Sequence, residues 1–221
     1  MTAASRRTRR PAVHDGVELR CGTQFEDEAR AAGHAVVAGV DEVGRGALCG
    51  PVVAAAVVLG EGFDCDGLDD SKRLTARQRE RLAARIREGA HAVGLGSCEP
   101  SEIDALNILR ATLEAMRRAV NALPVRPDLV LVDALRIPGV DCAQKAIVKG
   151  DALSVSIAAA SIVAKVTRDE LMLELDARHP GYGLAENMGY GSREHRDALH
   201  RMGPSPIHRR SFHGIQAWLF S

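Results

Sequence analysis

The stretch AVVAGVDEVGRGALCGPVVAAAVVL, Ala35 to Leu59, decides how this 221-residue chain folds. Two Val/Ala-rich runs, Ala35–Val40 and Val52–Leu59, flank a segment punctuated by Gly44, Gly46, Gly50 and Pro51. Runs this short, apolar and bounded by turn residues read as buried strands. Asp41 and Glu42 follow the first run directly, so two carboxylates stand where a strand gives way to a turn. Neighbouring residues of a strand point to opposite faces. The two acids therefore share one site only if the chain bends there, and Gly44 and Gly46 permit a bend. A tight Gly44-Arg45-Gly46 turn also offers backbone groups to a ligand, although a turn that simply needs positive φ accounts for the same glycines. Neither a dinucleotide fingerprint nor a P-loop lysine follows them.

Moving outward, Thr75 is placed to cap a helix that runs to about Glu88 and stops at Gly89, with Leu82 and Ile86 on its inner face. Ala92–Ser97 reads as a third strand, and Ser101 to about Ala122 as a helical region closed by Pro124 and Pro127. Asp128–Asp133 is a strand that ends in a carboxylate, and Ala146–Val148 is a short strand that leads into Lys149-Gly150-Asp151. Ser154–Ala177 predicts a long helix whose small, apolar first half lies buried on the sheet. Strands first, then helices mixed with strands, predict an α/β core around a mixed five-stranded sheet flanked by helices. We divide the chain into a polar Arg-rich tail with a short helix near Phe25–Ala32 (1–33), a catalytic core (34–178) and a small helical C-terminal extension (179–221). The extension carries a helix at Ser192–Met202 and five of the seven aromatic residues.

Composition narrows the function. The apolar fraction of 46% supports a sizeable core, and no run approaches the roughly 18 apolar residues of a membrane span. Arg6, Arg7, Arg9 and Arg10 are not followed by the apolar stretch of a secretory signal. The five cysteines are scattered without CxxC pairs, which argues against a zinc site or a disulfide framework and leads us to expect a cytoplasmic protein, acting as a monomer. Lys and Arg balance Asp and Glu at 29 each, which counts against a generally basic nucleic-acid binder. Local segregation decides, however, and Arg193–His213 holds five arginines against two acids.

Asp41, Glu42, Asp133 and Asp151 all border apolar segments at predicted strand ends or before the long helix. Two carboxylates about 4 Å apart repel by roughly 1 kcal/mol in water and about 4 kcal/mol at an effective dielectric of 20. If the four converge, either some stay protonated or cations neutralise them. An all-oxygen donor set favours Mg²⁺ or Mn²⁺, and two such ions would balance four charges and form a phosphoryl-transfer site. A two-acid glycosidase is the alternative on charge alone, but it usually needs a sugar-stacking aromatic platform that this core lacks.

These residues carry a specific resemblance. GVDEVGRGALCGPVVAAAVVL is similar to the signature of bacterial ribonuclease HII, and the match continues in order through LDDSKRLT, LVDAL, KGDALSVSIAAASIVAKVTRD and HRRSFHG. Ribonuclease HIII would bring an added N-terminal domain, a DESGKG-type turn and Glu where Asp151 stands. The resemblance implies a ribonuclease H-like fold and a two-ion site of Asp41, Glu42, Asp133 and Asp151. It also implies hydrolysis 5′ to a ribonucleotide in duplex DNA or in RNA:DNA hybrids, leaving 5′-phosphate and 3′-hydroxyl ends. Gly44, Arg45 and Gly46 take the role of reading the 2′-hydroxyl, and Tyr190 that of stacking on the neighbouring deoxyribose. Ser71, Lys72 and Lys165 are expected to hold phosphate. The chain departs from the family at Asn187-Met188-Gly189-Tyr190-Gly191-Ser192, where the family commonly has His-Lys-Gly-Tyr-Pro-Thr. Gln216, Leu219 and Phe220 resemble the short peptides that bind replication sliding clamps. Two rival readings are a non-catalytic nucleic-acid module and a metal-dependent hydrolase of small substrates.

Overall fold

In this computed structural model the described residues are 13–14, 17–18 and 21–219, with side chains described from Cys21 to Gln216. The tail arginines, the side chain of Leu219 and all of Phe220 lie outside them. Five strands form the central sheet: β1 (Val37–Val43), β2 (Val52–Val58), β3 (Ala92–Cys98), β4 (Leu129–Asp133) and β5 (Ala143–Ile147). Their spatial order is β3-β2-β1-β4-β5. β1 pairs antiparallel with β2 and β2 with β3, whereas β1–β4 and β4–β5 are parallel, so the sheet is mixed as expected.

Helices follow as α1 (Gln24–Ala31), α2 (Ala76–Gly89), α3 (Pro100–Leu106), α4 (Ile108–Asn121), α5 (Val155–Arg178), α6 (Leu184–Asn187), α7 (Arg193–Met202) and α8 (His213–Leu219). Thr75 caps α2 through a reciprocal box with Gln78, and Ser154 and Ser192 cap α5 and α7. None of the described helices is long and apolar enough to cross a membrane.

Three elements differ from the sequence reading, each for a local reason. β1 does not end before Asp41, because pairing with β2 continues through Asp41↔Ala55 and Glu42↔Ala54 to Val43↔Val53. The predicted helix over 101–122 breaks at Asn107, whose φ of +70° ends α3 while its side chain accepts N–H groups of Leu109 and Arg110 to start α4. β5 starts three residues earlier than expected and ends one earlier because it is a polar edge strand. Register with β4, rather than an apolar run, defines it.

The sheet buries both faces. On one, Ala55 and Val57 pack with Ala158, Ile162, Leu82 and Ile86 from α5 and α2. On the other, Val40, Ala54, Val130 and Val132 pack with Ala111, Ala115 and Met116 of α4. The helices sit unusually close. A Cβ built on Gly39 would lie 2.1 Å from the carbonyl carbon of Ser156, and one on Gly96 would lie 2.2 Å from the Ala115 oxygen. Glu26 of α1 fastens the start of α5 by accepting the Ser154 hydroxyl and the Ser156 N–H, a carboxylate at a helix N-terminus.

A third cluster joins Tyr182, Leu184, Ala198, Leu199 and Ile215 to Cys49 and Met172. The arm after α7 then returns to the β1–β2 turn, where Gly50 N–H donates to Ile207 O and Arg209 N–H to Leu48 O, both at 2.9 Å. Because only backbone lies opposite Gly39, we expect Gly39→Ala to destabilise the protein by about 3 kcal/mol. A lower urea midpoint at unchanged slope would show it; an unchanged midpoint would mean that α5 can lift off the sheet at little cost.

Candidate active site

The parallel register of β1 and β4 ends with Val40 opposite Val132, so the next residues, Asp41 and Asp133, emerge from adjacent strand ends. On the far side Asp133 pairs with Ile147, and the chain then turns through Lys149 into a single 3₁₀ turn, Gly150–Ala152, that presents Asp151. Gly150 N–H donates to Asp133 Oδ1 at 2.8 Å and links the two. Ala134 and Lys149 hold φ of +52° and +60°, a left-handed backbone costly for residues with a side chain. Such strain persists where the surroundings over-determine it.

Electrostatics show that the acids feel one another. Burial raises the Asp41 pKa well above the usual carboxylate range, the charges of Glu42 and Asp133 raise it further, and a hydrogen bond with Ser161 opposes the shift. Glu42 is raised by burial and by Asp133, against the pull of Arg45, whose Nη1 donates to it at 3.2 Å. Asp133 is raised by burial and by Asp151, against the Gly150 N–H. Glu42 Oε2 is buried with no hydrogen-bond partner. Among the described residues the compensation these acids receive is partial. Lys72 Nζ lies 2.9 Å from Asp151 and 3.8 Å from Asp70.

Two members of this cluster escaped the sequence reading. Asp70 has a pKa raised by burial and by Asp151. The Asp69-Asp70 doublet before Ser71-Lys72 was the available signal: Asp69 pairs with Arg73, while Asp70 faces inward. Ser161 on α5 opposes the upward shift of the Asp41 pKa, and nothing in its local sequence distinguishes it from the small residues around it.

The expected recognition residues divide. Gly44 has φ +93°, so the turn needs its glycine, and a Cβ on Gly46 would come within 3.9 Å of Tyr190 Cε1. Turn and tyrosine ring are therefore neighbours, with the ring 39% exposed and free to meet a ligand. Ser71 is buried and its hydroxyl shares a 2.9 Å hydrogen bond with Ser161, so it supports Asp41's partner instead of facing solvent. Lys165 pairs with Asp169 on α5 and is not drawn to the carboxylates. Lys72 is.

Beneath the turn lie two fully buried arginines. Arg168 donates to the carbonyls of Pro51, Met188 and Cys49, and Arg209 to those of Gly50 and Arg45. Beside them Cys49, His195 and His208 bring potential metal-ligand atoms within 4.8 Å. The imidazoles already have protein partners, however. Ser205 N–H donates to His208 Nδ1, which places the His208 proton on Nε2, 3.1 Å from His195 Nε2, and leaves His195 Nδ1–H for the Tyr190 carbonyl. Burial keeps both rings neutral, His208 being pushed down to about 4.

The carboxylate cluster is the better home for divalent cations. Its donors are hard oxygens, its charges repel, and an unpartnered buried oxygen lies within it. Cys49 instead has its thiol pushed up to about 12 by burial and stands beside two guanidinium groups, a poor place for a cation.

Comparison with known proteins agrees with this geometry. The family profile of Ribonuclease HII matches residues 38–215. A ribonuclease HII of Desulfitobacterium hafniense is 57% identical over 187 residues, covering 85% of this chain and 72% of the relative. The crystal structure of ribonuclease H2 from Pyrococcus horikoshii superposes with a TM-score of 0.70 at 29% identity, over 82% of this chain and 96% of that one. The RNase HII of a PCNA complex from Archaeoglobus fulgidus gives 0.67 at 26%, over 80% and 95%.

Since burial and mutual repulsion oppose ionisation of Asp41, Asp41→Asn should raise the melting temperature in EDTA at neutral pH. A group with a raised folded pKa contributes stability while protonated and loses it as pH rises through that pKa. The advantage of the substitution is therefore largest at neutral pH and shrinks on acidification, as the native carboxyl also becomes neutral. A variant less stable than the wild type at every pH would show that Asp41 is held by its hydrogen bonds and not strained by its charge.

Proposed function

The chain belongs to the ribonuclease HII family, and on that premise we propose that it cuts the phosphodiester on the 5′ side of a ribonucleotide embedded in duplex DNA. Membership makes it a type 2 ribonuclease H, an endonuclease acting on RNA in RNA:DNA hybrids. The finer reading is supported by the buried, mutually repelling carboxylates placed beside an exposed tyrosine and a glycine-dependent turn. A surface that merely gripped phosphate would gain nothing from burying negative charge, and the cost to folding argues for a catalytic use of Asp41, Glu42, Asp133 and Asp151.

Two divalent ions, Mg²⁺ or Mn²⁺, held by these four side chains would neutralise the cluster, activate a water and stabilise the charge that builds on the departing oxygen. Hydrolysis adds that water to phosphorus and breaks the bond to the 3′ oxygen, leaving 5′-phosphate and 3′-hydroxyl ends. Discrimination falls to the protein. The 2′-hydroxyl is what separates RNA from DNA at one step, and the backbone of Gly44, Arg45 and Gly46 is the element we assign to read it. Tyr190, its ring beside Gly46, is assigned to stack on the deoxyribose that follows. Lys72 lies at the rim of the acids with an exposed side chain, placed to exchange Asp151 for a backbone phosphate. The exposed Arg193, Arg196, Arg201 and Arg210 make the extension (179–221) the second place for phosphate contact, whereas Arg209 is buried. Gln216, Leu219 and Phe220 are proposed to dock in a sliding clamp, in keeping with the PCNA complex of the archaeal relative.

A duplex with a single ribonucleotide, incubated with Mg²⁺ or Mn²⁺ beside an all-DNA control, tests the assignment. Cleavage of the first alone, at its 5′ side, is expected, and equal cutting of both would refute it. Asp133→Asn should abolish turnover and leave binding in gel-shift measurements within about threefold, because one charge-stabilising ligand of the reaction is lost and no substrate contact is. Tyr190→Ala should impair cutting at the ribonucleotide more than Tyr190→Phe, since the ring and not the hydroxyl carries the stacking. Equal losses would remove Tyr190 from that role.

A further inference from the structure

The part of the molecule that the chemistry leaves unexplained is the pair of buried guanidinium groups under the turn. Arg168 is fully buried on α5, and all three of its hydrogen bonds run to main-chain carbonyls from two separate segments. Nε donates to Pro51 O at 3.0 Å and Nη2 to Cys49 O at 3.3 Å, both in the β1–β2 turn. Nη1 donates to Met188 O at 2.9 Å, in the loop that carries Tyr190. Its guanidinium carbon stands 5.5 Å from the centre of the Tyr190 ring, within range of a cation–π contact. A Cβ on Gly44 would fall 2.2 Å from Arg168 Nε, so the first glycine of the turn rests directly on this side chain. Leu48 N–H closes the gap by donating to Gly189 O at 2.8 Å.

Burying a cation is costly, and apolar residues of similar volume often serve folding as well or better. Stability alone is therefore a weak reason for an arginine here. What an apolar residue cannot supply is a planar fork with fixed directions that reaches two chain segments at once. We propose that Arg168 is a positioning residue that locks the 44–51 turn and the Tyr190 loop into one rigid recognition surface, so that reading of the sugar and stacking on its neighbour share a single geometry. Arg209 completes the lock from below, bonding Gly50 O and Arg45 O while Phe212 lies under its guanidinium, 5.1 Å away. The tie also bears on the loop at 187–192. There the fork bonds Met188 O, within the stretch where Asn187-Met188 and Gly191 depart from the charged and proline-containing pattern common in the family. The inference rests on the reading of Gly44–Gly46 and Tyr190 as substrate-recognising elements, and deepens it.

The test uses the full chain with Arg168→Lys and, should that variant fold poorly, Arg168→Met. Hydrogen–deuterium exchange of the free protein is followed by mass spectrometry, and cleavage is measured on a duplex with one ribonucleotide and on an RNA:DNA hybrid. Exchange should rise about tenfold or more in 44–51 and 187–191 together, while β2 and α4 keep wild-type protection. The ratio of kcat/KM on the single ribonucleotide to that on the hybrid should fall at least about fivefold, and Arg168→Lys should add nothing in a Tyr190→Ala background. If Arg168→Lys exchanges like the wild type, if only one segment loosens, or if protection is lost evenly across the core, the tie is refuted. Failure of the wild type to cut the embedded ribonucleotide would instead overturn the functional reading, and the exchange pattern would still decide whether Arg168 couples the two segments.

Discussion

The parallel pairing of β1 with β4 is the constraint from which the site follows. It brings Asp41 and Asp133, ninety-two positions apart, to adjacent strand ends on a sheet whose two faces are already covered. Burial and the neighbouring charges there raise the pKa values of Asp41, Glu42 and Asp133. The remainder of the site can be read as a response to that crowding. Lys72 comes in from the segment before α2, Gly150 turns its N–H to Asp133, and Arg45 folds back on Glu42. One oxygen of Glu42 is left over. Charge is concentrated first and compensated incompletely, which is the condition a cation site requires.

Much of this was legible before any coordinates. Periodicity and punctuation gave the strands at 52 and 92, the cap at Thr75 and the helix starts at Ser154 and Ser192, because local signals and tertiary packing agree there. The edge strand β5 was misplaced, since its sequence AQKAI has no apolar run and its identity depends on what it pairs with. The break at Asn107 was missed because the composition on both sides favours helix, and a single left-handed asparagine overrides it. Of the candidate residues, the four acids were visible as carboxylates bordering apolar runs, and the turn was visible as glycines. Ser71 is expected to hold phosphate from its place in the family's DSK element, and the sequence gives no sign that Ser161, ninety residues on, lies against it. The buried arginines were invisible for a related reason. An arginine reads as solvated whether it stands in a helix, as Arg168 does, or in a loop, as Arg209 does, and only the three-dimensional arrangement supplies carbonyls to receive it.

The closeness of the helices to the sheet has its own functional bearing. Gly39 and the alanines along α5 let backbone approach backbone on the face that carries Asp41, and Gly96 does the same for α4 on the other face. A bulkier interface would tolerate sliding, and with it a spread in the spacing of the acids. Stiffness near the strand ends, strained backbone at Ala134 and Lys149, and the tie from Glu26 to the first turn of α5 all act in one direction, toward a single arrangement of oxygens.

The arm that returns to the turn carries a further implication, for the order in which the molecule is made. Gly50 and Arg45 offer their carbonyls to Arg209 across 159 and 164 positions of chain, so the turn is made long before the guanidinium that bonds it. Until the arm docks, strands β1 and β2 are in place while the turn between them lacks these two bonds. Final packing of the 44–51 turn therefore waits on a contact between distant parts of the chain, and loss of that arm would leave the Gly50 and Arg45 carbonyls without the Arg209 guanidinium.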